Sequence, residues 1–146
     1  LASTRISSRK LAIECIEFPF ELMDDMIKKM DLSICLDVGH IIAGFSGNIS
    51  NERFIKKYYD RISEIHLHDA YKRQNGEKYD IADHLPLGRG SLDYVWLINE
   101  LYSRRYDKRV IFELGLKESL ESMKVLSEHF VIDLNSNAIT PKNVIK

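Results

Sequence analysis

Four acidic or imidazole side chains interrupt apolar stretches of the sequence, and all four are of types that bind divalent metal ions. They are Glu14 in LAIECI, Asp37 in SICLDV, His66 in ISEIHLH and Glu113 in RVIFEL. A carboxylate in an apolar run costs folding free energy unless it is hydrogen-bonded, ion-paired or bound to a metal. Oxygen and nitrogen donors of these kinds are ligands of zinc and related ions. The four residues therefore predict a divalent-metal site, provided that the fold brings them together.

Two further groups of polar residues lie close to these runs in sequence. Asp37-Val-Gly39-His40 adds a second donor, and Gly39 predicts a tight turn that returns His40 toward the metal ligands. The segment Asp83-His84-Leu-Pro-Leu-Gly88-Arg89-Gly90 follows later, and its two glycines predict a close approach of the backbone to a ligand. A helix is expected to begin directly after it, at Ser91, so its free N–H groups are predicted to hold an anion such as phosphate.

The apolar runs that contain the four residues have the length and β-branched content of strands. The strands are predicted at 11–16, 33–38, 62–68 and 109–114. Amphipathic helical patterns follow them, at 21–30, 52–62, 91–102 and 117–130. This alternation predicts an α/β fold of parallel strands joined by helices. Because the C-terminal ends of parallel strands meet at one edge, the four polar side chains are expected to converge there.

Four strand–helix units suit half of an eight-unit barrel, which typically needs about 250 residues. We therefore expect one domain over 1–146, a half-barrel of parallel βα units, with a small open sheet as the alternative. FVIDL at 130–134 is expected to be a further strand or part of a C-terminal tail that extends over 135–146. Thr140-Pro141 is expected to begin a last short helix. The polar stretch 71–84 is predicted to be a long loop, and loops of that length are often functional.

Several polar residues have simpler structural interpretations. His68 is expected to be a hydrogen-bonded core histidine rather than a ligand, and His129 a surface residue at a helix end. His40 could merely cap a helix. Cys15 and Cys35 stand outside any CxxC motif, so we interpret them as small buried apolar side chains rather than as thiolate ligands or a disulfide.

The composition excludes several classes of partner. A net charge of -1, from 21 basic and 22 acidic residues, gives no broad electrostatic attraction to nucleic acid. Apolar runs stay far below the roughly 20 residues that span a bilayer, and the first ten residues lack the apolar segment of a signal peptide. Isolated cysteines do not require an oxidising compartment. We therefore expect a cytoplasmic protein with a small-molecule substrate.

The order of these motifs resembles the xylose-isomerase-like TIM barrel superfamily. That group includes sugar-phosphate isomerases and epimerases and the endonuclease-IV-like phosphodiesterases. The resemblance rests on Ile-Glu14, Leu-Asp37-Val-Gly-His40, Ile-His66-Leu-His-Asp69, His84-Leu-Pro-Leu-Gly88-Arg-Gly90 and Phe-Glu113. It covers roughly residues 10–128 and corresponds to the second half of the family's barrel, with no counterpart of the first four strands.

The resemblance implies one divalent ion, with zinc or manganese preferred over magnesium or cobalt, held by Glu14, Asp37, His66 and Glu113. It implies that His40 contacts the substrate or a second metal, and it gives His84 a ligand position of the endonuclease-type members. Those members carry an Asp two residues before that His. Here Ala82 occupies that position, and the acidic residue is Asp83.

Three functions are compatible with these residues. The first is a sugar or sugar-phosphate isomerase or epimerase, in which Glu14 and Glu113 transfer the proton and Arg89 contacts an anionic substituent. The second is hydrolysis of a small phosphodiester, in which His40 and His84 bind additional metals. The third is a non-catalytic half-barrel remnant that binds a metal or a partner. We rank the hypotheses in that order.

Half a barrel leaves unpaired strand edges and an uncovered inner face, which favour association. The residues that alternate with the ligands are expected to face the helices; they are Ile13, Leu36, Leu67 and Phe112. Cys35 and Ile111 are expected on the inner face without a partner in this chain. We therefore expect a homo-oligomer, or pairing with a missing N-terminal half.

Overall fold

The computed structural model describes residues 6–16, 18–72, 82–133, 135–136 and 138–144. Four parallel strands form one sheet in chain order: β1 (Ala12–Glu14), β2 (Ser33–Asp37), β3 (Ile62–Leu67) and β4 (Arg109–Phe112). The α-helices are α1 (Asp24–Met30), α2 (Val38–Ile42), α3 (Asn51–Tyr58), α4 (Tyr94–Ser103) and α5 (Leu116–His129). Short 3-10 turns occupy Ser8–Lys10, Phe20–Met23 and Tyr59–Arg61. The predicted α/β fold of parallel βα units is confirmed.

The core lies between one face of this sheet and the helices. Leu36 and Leu67, predicted to face the helices, are buried there, and Ile13 and Phe112 pack against the same cluster. Phe20, Phe54 and Leu97 fill it from the helical side, each fully buried. Because side chains alternate along a strand, the residues between these apolar positions turn to the opposite, inner face of the sheet.

The inner face differs from the expectation at Cys35. Ile111 is 40% exposed, as predicted, but Cys35 is only 5% exposed. The sheet register places Glu14 on one side of Cys35 and Glu64 on the other. A thiol is small enough for the two neighbouring strands to cover it, so the prediction that Cys35 lacks cover within the chain was wrong.

The chain after α5 forms a hairpin. β5 (Phe130–Asp133) pairs antiparallel with β6 (Ala138–Pro141). The strand expected at 130–134 is therefore present over residues 130–133, with residue 134 outside the described part of the chain, and part of the segment expected as a tail is also a strand. The helix predicted to begin at Thr140-Pro141 was wrong, because both residues lie in β6. A two-stranded hairpin has a free edge on each strand, where the missing N–H of a proline is tolerated.

Two boundaries differ from the sequence pattern after β3. Helix α4 begins at Tyr94 rather than at Ser91, and the carboxylate of Asp93 caps it by accepting the N–H of Trp96 at 2.8 Å. Of the loop predicted at 71–84, residues 73–81 lie outside the described part of the chain. Within the described residues, the helices are all too short or too polar to cross a membrane.

Candidate metal centre

The C-terminal edge of the sheet brings together the four side chains that the sequence singled out. Glu14 ends β1, Asp37 ends β2, His66 is the last residue but one of β3, and Glu113 follows β4. One ligand atom from each of the four lies within 4.8 Å of those of the other three. Parallel strands end at a common edge, so residues spread over a hundred positions of sequence meet in one cluster. We call this group the carboxylate–histidine cluster.

The Nδ1 atom of His66 lies at the centre of the carboxylate–histidine cluster. It is 3.0 Å from Oε2 of Glu113, 3.4 Å from Oε1 of Glu14 and 3.9 Å from Oδ2 of Asp37. His66 Nδ1 and Glu113 Oε2 are buried and have no hydrogen-bond partner among the described residues. Buried polar atoms without partners cost free energy, and a cation would satisfy both of them. The residues therefore fit a divalent ion.

Electrostatics within the cluster also favour a bound cation. Burial by itself would lower the pKa of His66, but the charges of Glu113, Glu14 and Asp37 outweigh it and raise that pKa above its ordinary value. Burial opposes ionisation of Asp37, yet its hydrogen bond to His68 and the N–H of His40 hold its pKa below the usual range. The cluster thus attracts positive charge, which a metal ion can supply in exchange for a proton.

A second group of donors, formed by His40, Asp83 and His84, lies beside the first, and His40 contacts both groups. Nδ1 of His40 is 3.2 Å from Oδ2 of Asp37 and 3.7 Å from Oε1 of Glu14. Its Nε2 lies 3.6 Å from Oδ2 of Asp83, and Asp83 Oδ1 is 3.1 Å from Nδ1 of His84. His40 is 4% exposed, and its Nδ1 has no hydrogen-bond partner in the described part of the chain. The structure therefore brings all three residues close to the cluster.

The fold and the order of these side chains have a known counterpart. A family model described as a xylose isomerase-like TIM barrel matches residues 9–129. The chain belongs to the xylose isomerase-like TIM barrel family. This superfamily comprises sugar isomerases and epimerases and endonuclease-IV-like enzymes. A search of curated proteins finds no match.

A solved structure shows how much of the family barrel the chain represents. The chain is similar to a xylose isomerase domain protein from Planctomyces limnophilus, with a TM-score of 0.67 and 16% sequence identity. The match covers 80% of this chain and 45% of that protein, so the chain spans less than half of its length. At this identity the likeness shows the fold alone. The four parallel strands are thus part of a xylose isomerase-like barrel.

Gly39 has a different role from the one that its position in the motif suggested. It lies inside α2, whose N-terminus is capped by Asp37 through a 2.7 Å hydrogen bond from the N–H of His40. The predicted tight turn at Gly39 was therefore wrong. A Cβ atom at this position would overlap the ring of His68. The glycine is needed because α2 approaches His68 too closely for any side chain.

His68 is the buried, hydrogen-bonded histidine that the sequence predicted. It is completely buried, and its Nε2 lies 3.0 Å from Oδ1 and 3.2 Å from Oδ2 of Asp37. Its Nδ1 accepts the backbone N–H of His84 at 2.9 Å. His68 therefore contacts both Asp37 of the carboxylate–histidine cluster and the following loop at His84.

The glycine-containing loop is held by Asp69 rather than open to an anion. Oδ2 of Asp69 accepts the N–H groups of Gly88 and Gly90 at 3.0 and 2.8 Å, and Oδ1 accepts that of Leu92 at 2.8 Å. The prediction that these N–H groups are free to bind phosphate was wrong, because a buried carboxylate already occupies them. The same contacts keep residues 88–92 out of a helical conformation, which explains why α4 begins later than expected.

Arg89 does not join the cluster. Its Nε donates a hydrogen bond of 2.9 Å to Oε1 of Glu121 on α5, and its side chain is 65% exposed. In this conformation Arg89 is not placed to contact an anionic substituent of a substrate, as the sequence had suggested, because its guanidinium is already paired with Glu121 outside the site.

Glu64 is a functional candidate that the sequence reasoning missed. Its Oε1 lies 3.4 Å from Nε2 of His66, on the side away from the cluster, and its Oε2 lies 3.3 Å from Nε of Arg109. In metal sites, a ligating histidine usually donates its second N–H to a carboxylate, which orients the ring. The spacing Glu64-x-His66 was a usable signal, because residues two apart on a strand share a face.

Proposed function

We propose that the chain provides the metal site of a divalent-metal-dependent isomerase or epimerase that acts on a sugar or sugar phosphate. The observation that supports this proposal is the buried, unpaired Nδ1 of His66 facing carboxylates from three other strand ends. The ion, zinc or manganese by preference, would be held by Glu14, Asp37, His66 and Glu113. When bound, it would polarise a substrate carbonyl and acidify the neighbouring C–H bond.

The three carboxylates differ in exposure, and this difference suggests their roles. The side chains of Glu14 and Glu113 are 33% and 38% exposed, whereas that of Asp37 is completely buried. Asp37 is also hydrogen-bonded to His68 and to the N–H of His40, so its oxygens are not free to exchange protons with a substrate. Glu14 and Glu113 stand at the ends of β1 and β4, the two outer strands of the described sheet. They are the proposed proton-transfer pair, one removing and the other returning the proton.

A phosphodiesterase is the second candidate function. It is supported by the group of His40, Asp83 and His84, which lies directly beside the carboxylate–histidine cluster. One ligand nitrogen from each of His40, His68 and His84 also lies within 4.8 Å of the other two. Such a group could hold an additional metal of the kind used to activate water and stabilise a leaving oxygen. A non-catalytic half-barrel that binds a metal or a partner without turnover is the third candidate.

Metal stoichiometry separates these candidates. After removal of metals by a chelator, the chain is expected to bind one equivalent of Zn²⁺ or Mn²⁺, measured by calorimetry and elemental analysis. Glu14→Gln is expected to weaken that binding by at least ~10-fold, because it removes one charged ligand. Substitution of residues that only hydrogen-bond to metal ligands already lowers metal affinity about 10- to 100-fold. A matched control is Glu100→Gln, since Glu100 pairs with Arg104 on α4.

The other outcomes of the same titration favour the other functions. Two or three tightly bound zinc ions would favour the phosphodiesterase. Equal affinity in Glu14→Gln and the wild type would show that Glu14 is not a ligand. A chain that binds neither metal would contradict the isomerase proposal and leave the non-catalytic remnant.

We also propose that additional strands complete the sheet. Among the described residues, β1 and β4 each have one strand neighbour. Val110 and Ile111 on β4 are 38% and 40% exposed, and Leu116 and Leu120, one helical turn apart on α5, are 79% and 63% exposed. Apolar side chains beside an unpaired strand edge are typical of a surface that another chain covers. The polypeptide that covers this surface is either a second copy of the chain or the other half of a family barrel.

The purified chain is therefore expected to self-associate. Sedimentation or light scattering should give a mass of at least a dimer, and a hydrophobic dye should bind to whatever fraction remains monomeric. Co-expression with a polypeptide containing the first half of a family barrel should shift the chain into a one-to-one complex. A monomer that unfolds cooperatively and binds no dye would instead show that the half-barrel is self-contained.

A further inference from the structure

His68 connects two parts of the site that are far apart in sequence. Its Nε2 contacts both oxygens of Asp37, at 3.0 and 3.2 Å, and its Nδ1 accepts the N–H of His84 at 2.9 Å. Its ring also stacks on that of His84, with centroids 4.2 Å apart and an interplanar angle of 7°. Asp37 belongs to the carboxylate–histidine cluster, whereas His84 belongs to the loop that also carries Asp83. His68 is thus a direct bridge between the cluster and the loop.

The partners of His68 define the position of its proton. The Asp37 carboxylate only accepts hydrogen bonds, so Nε2 carries the hydrogen and donates it. Nδ1 then presents a lone pair to the N–H of His84. The carbonyl oxygen of Asp69, 3.1 Å from Nδ1, competes for this nitrogen only if the ring is doubly protonated. With the hydrogen on Nε2 and the lone pair on Nδ1, one ring makes one bond to each side.

The ring has little freedom to move. His68 is completely buried, with Gly39 on one side and the stacked ring of His84 on another. If the Asp37 carboxylate moves, the ring of His68 therefore moves with it. Movement of the ring in turn changes its hydrogen bond to the N–H of His84. Close packing transmits such shifts because the neighbours cannot absorb them.

We propose that His68 is a positioning residue that couples metal binding at Asp37 to the ordering of the loop segment 82–85, which carries Asp83 and His84. This inference rests on the proposed metal site. Because coupling between two events is reciprocal, a metal ion on Asp37 stabilises the loop by the same factor by which the ordered loop strengthens metal binding. The loop residues beside His40 are then held more firmly when the metal is present.

Two substitutions separate the two bonds of His68. In His68→Asn, the amide oxygen is attached to Cγ, as Nδ1 is, so it can still accept the N–H of His84 but cannot donate to Asp37. In His68→Gln, the amide nitrogen reaches the position of Nε2, so it can still donate to Asp37 while the direct bond to His84 is lost. His129→Gln is the control, because His129 is exposed at the end of α5.

The measurements are the affinity for Zn²⁺ and the hydrogen-exchange rate of the His84 amide, with and without that ion. In the wild type, Zn²⁺ is expected to slow exchange of the amide at least fivefold, the lower end of typical coupling. His68→Asn is expected to retain slow exchange but to bind Zn²⁺ at least tenfold more weakly. His68→Gln is expected to bind Zn²⁺ within about threefold of the wild type, while its His84 amide exchanges at least tenfold faster and no longer responds to the ion.

Different outcomes contradict the metal site and the coupling through His68. If the wild type binds no Zn²⁺, the proposed metal function fails and the coupling fails with it. If the wild type binds Zn²⁺ but exchange at His84 does not respond, the coupling alone is overturned, and this test needs no variant. Parallel loss of affinity and protection in both variants would also overturn it, by showing that His68 acts through general stability.

Discussion

Replacing Glu113 with glutamine is expected to slow exchange between the carbon-bound proton of the substrate and solvent deuterium by about 10³-fold, within the 10²–10⁴ range typical of general acid–base catalysis. Glutamine has nearly the same shape as glutamate but cannot take up a proton. Glu113 is a member of the proposed proton-transfer pair, and its Oε2 is buried without a hydrogen-bond partner among the described residues. The measurement is deuterium incorporation by NMR with a panel of aldoses, ketoses and their phosphates, in the complete barrel.

Metal content must be measured in the same samples, because Glu113 is also a proposed ligand. The comparison is therefore made per metal-loaded site. Glu121→Gln provides the matched control, since Glu121 pairs with Arg89 outside the cluster and should retain wild-type exchange. Exchange by metal-loaded Glu113→Gln within a few-fold of the wild type would rule out the proton-transfer role and with it the isomerase mechanism.

A second large effect is expected for Gly39→Ala. The added methyl group would overlap the ring of His68, which is completely buried and cannot move aside without losing its contacts to Asp37 and His84. Overpacking of a core typically lowers the free energy of unfolding by about 1–3 kcal/mol. Urea denaturation should show this loss of stability. The affinity for Zn²⁺ should fall as well, because Asp37 loses its hydrogen bond to His68.

Gly115→Ala is a suitable control for that substitution. A Cβ at Gly115 would come close to the Glu118 carboxylate, which lies at the free end of a flexible side chain and can move away. The free energy of unfolding is expected to stay within about 0.5 kcal/mol of the wild type. If Gly39→Ala were equally well tolerated, His68 could not occupy the space against α2 that the structure assigns to it.

Local sequence patterns were sufficient to predict the strands and the edge at which the polar residues meet. Each strand is a short β-branched run, and every helix except the five-residue α2 has a period of apolar residues, so these elements are recognisable from neighbours in sequence. Helix α2 was not predicted. Alternation along the strands then places Glu14, Asp37 and His66 on the inner face, near the ends where they converge. The family resemblance followed from the order of the same motifs. That these residues bind a metal stays a prediction.

Tertiary structure decided what the polar residues around that edge do. Asp69 accepts N–H groups from residues about twenty positions later, which removes the predicted phosphate site. Arg89 turns to Glu121, 32 residues away, and Gly39 in α2 is required by the ring of His68, which directly follows β3. Such contacts join segments that the chain places far apart. Periodicity identifies which residues share a face, but partners are chosen by distances that arise only when the strands and loops have packed.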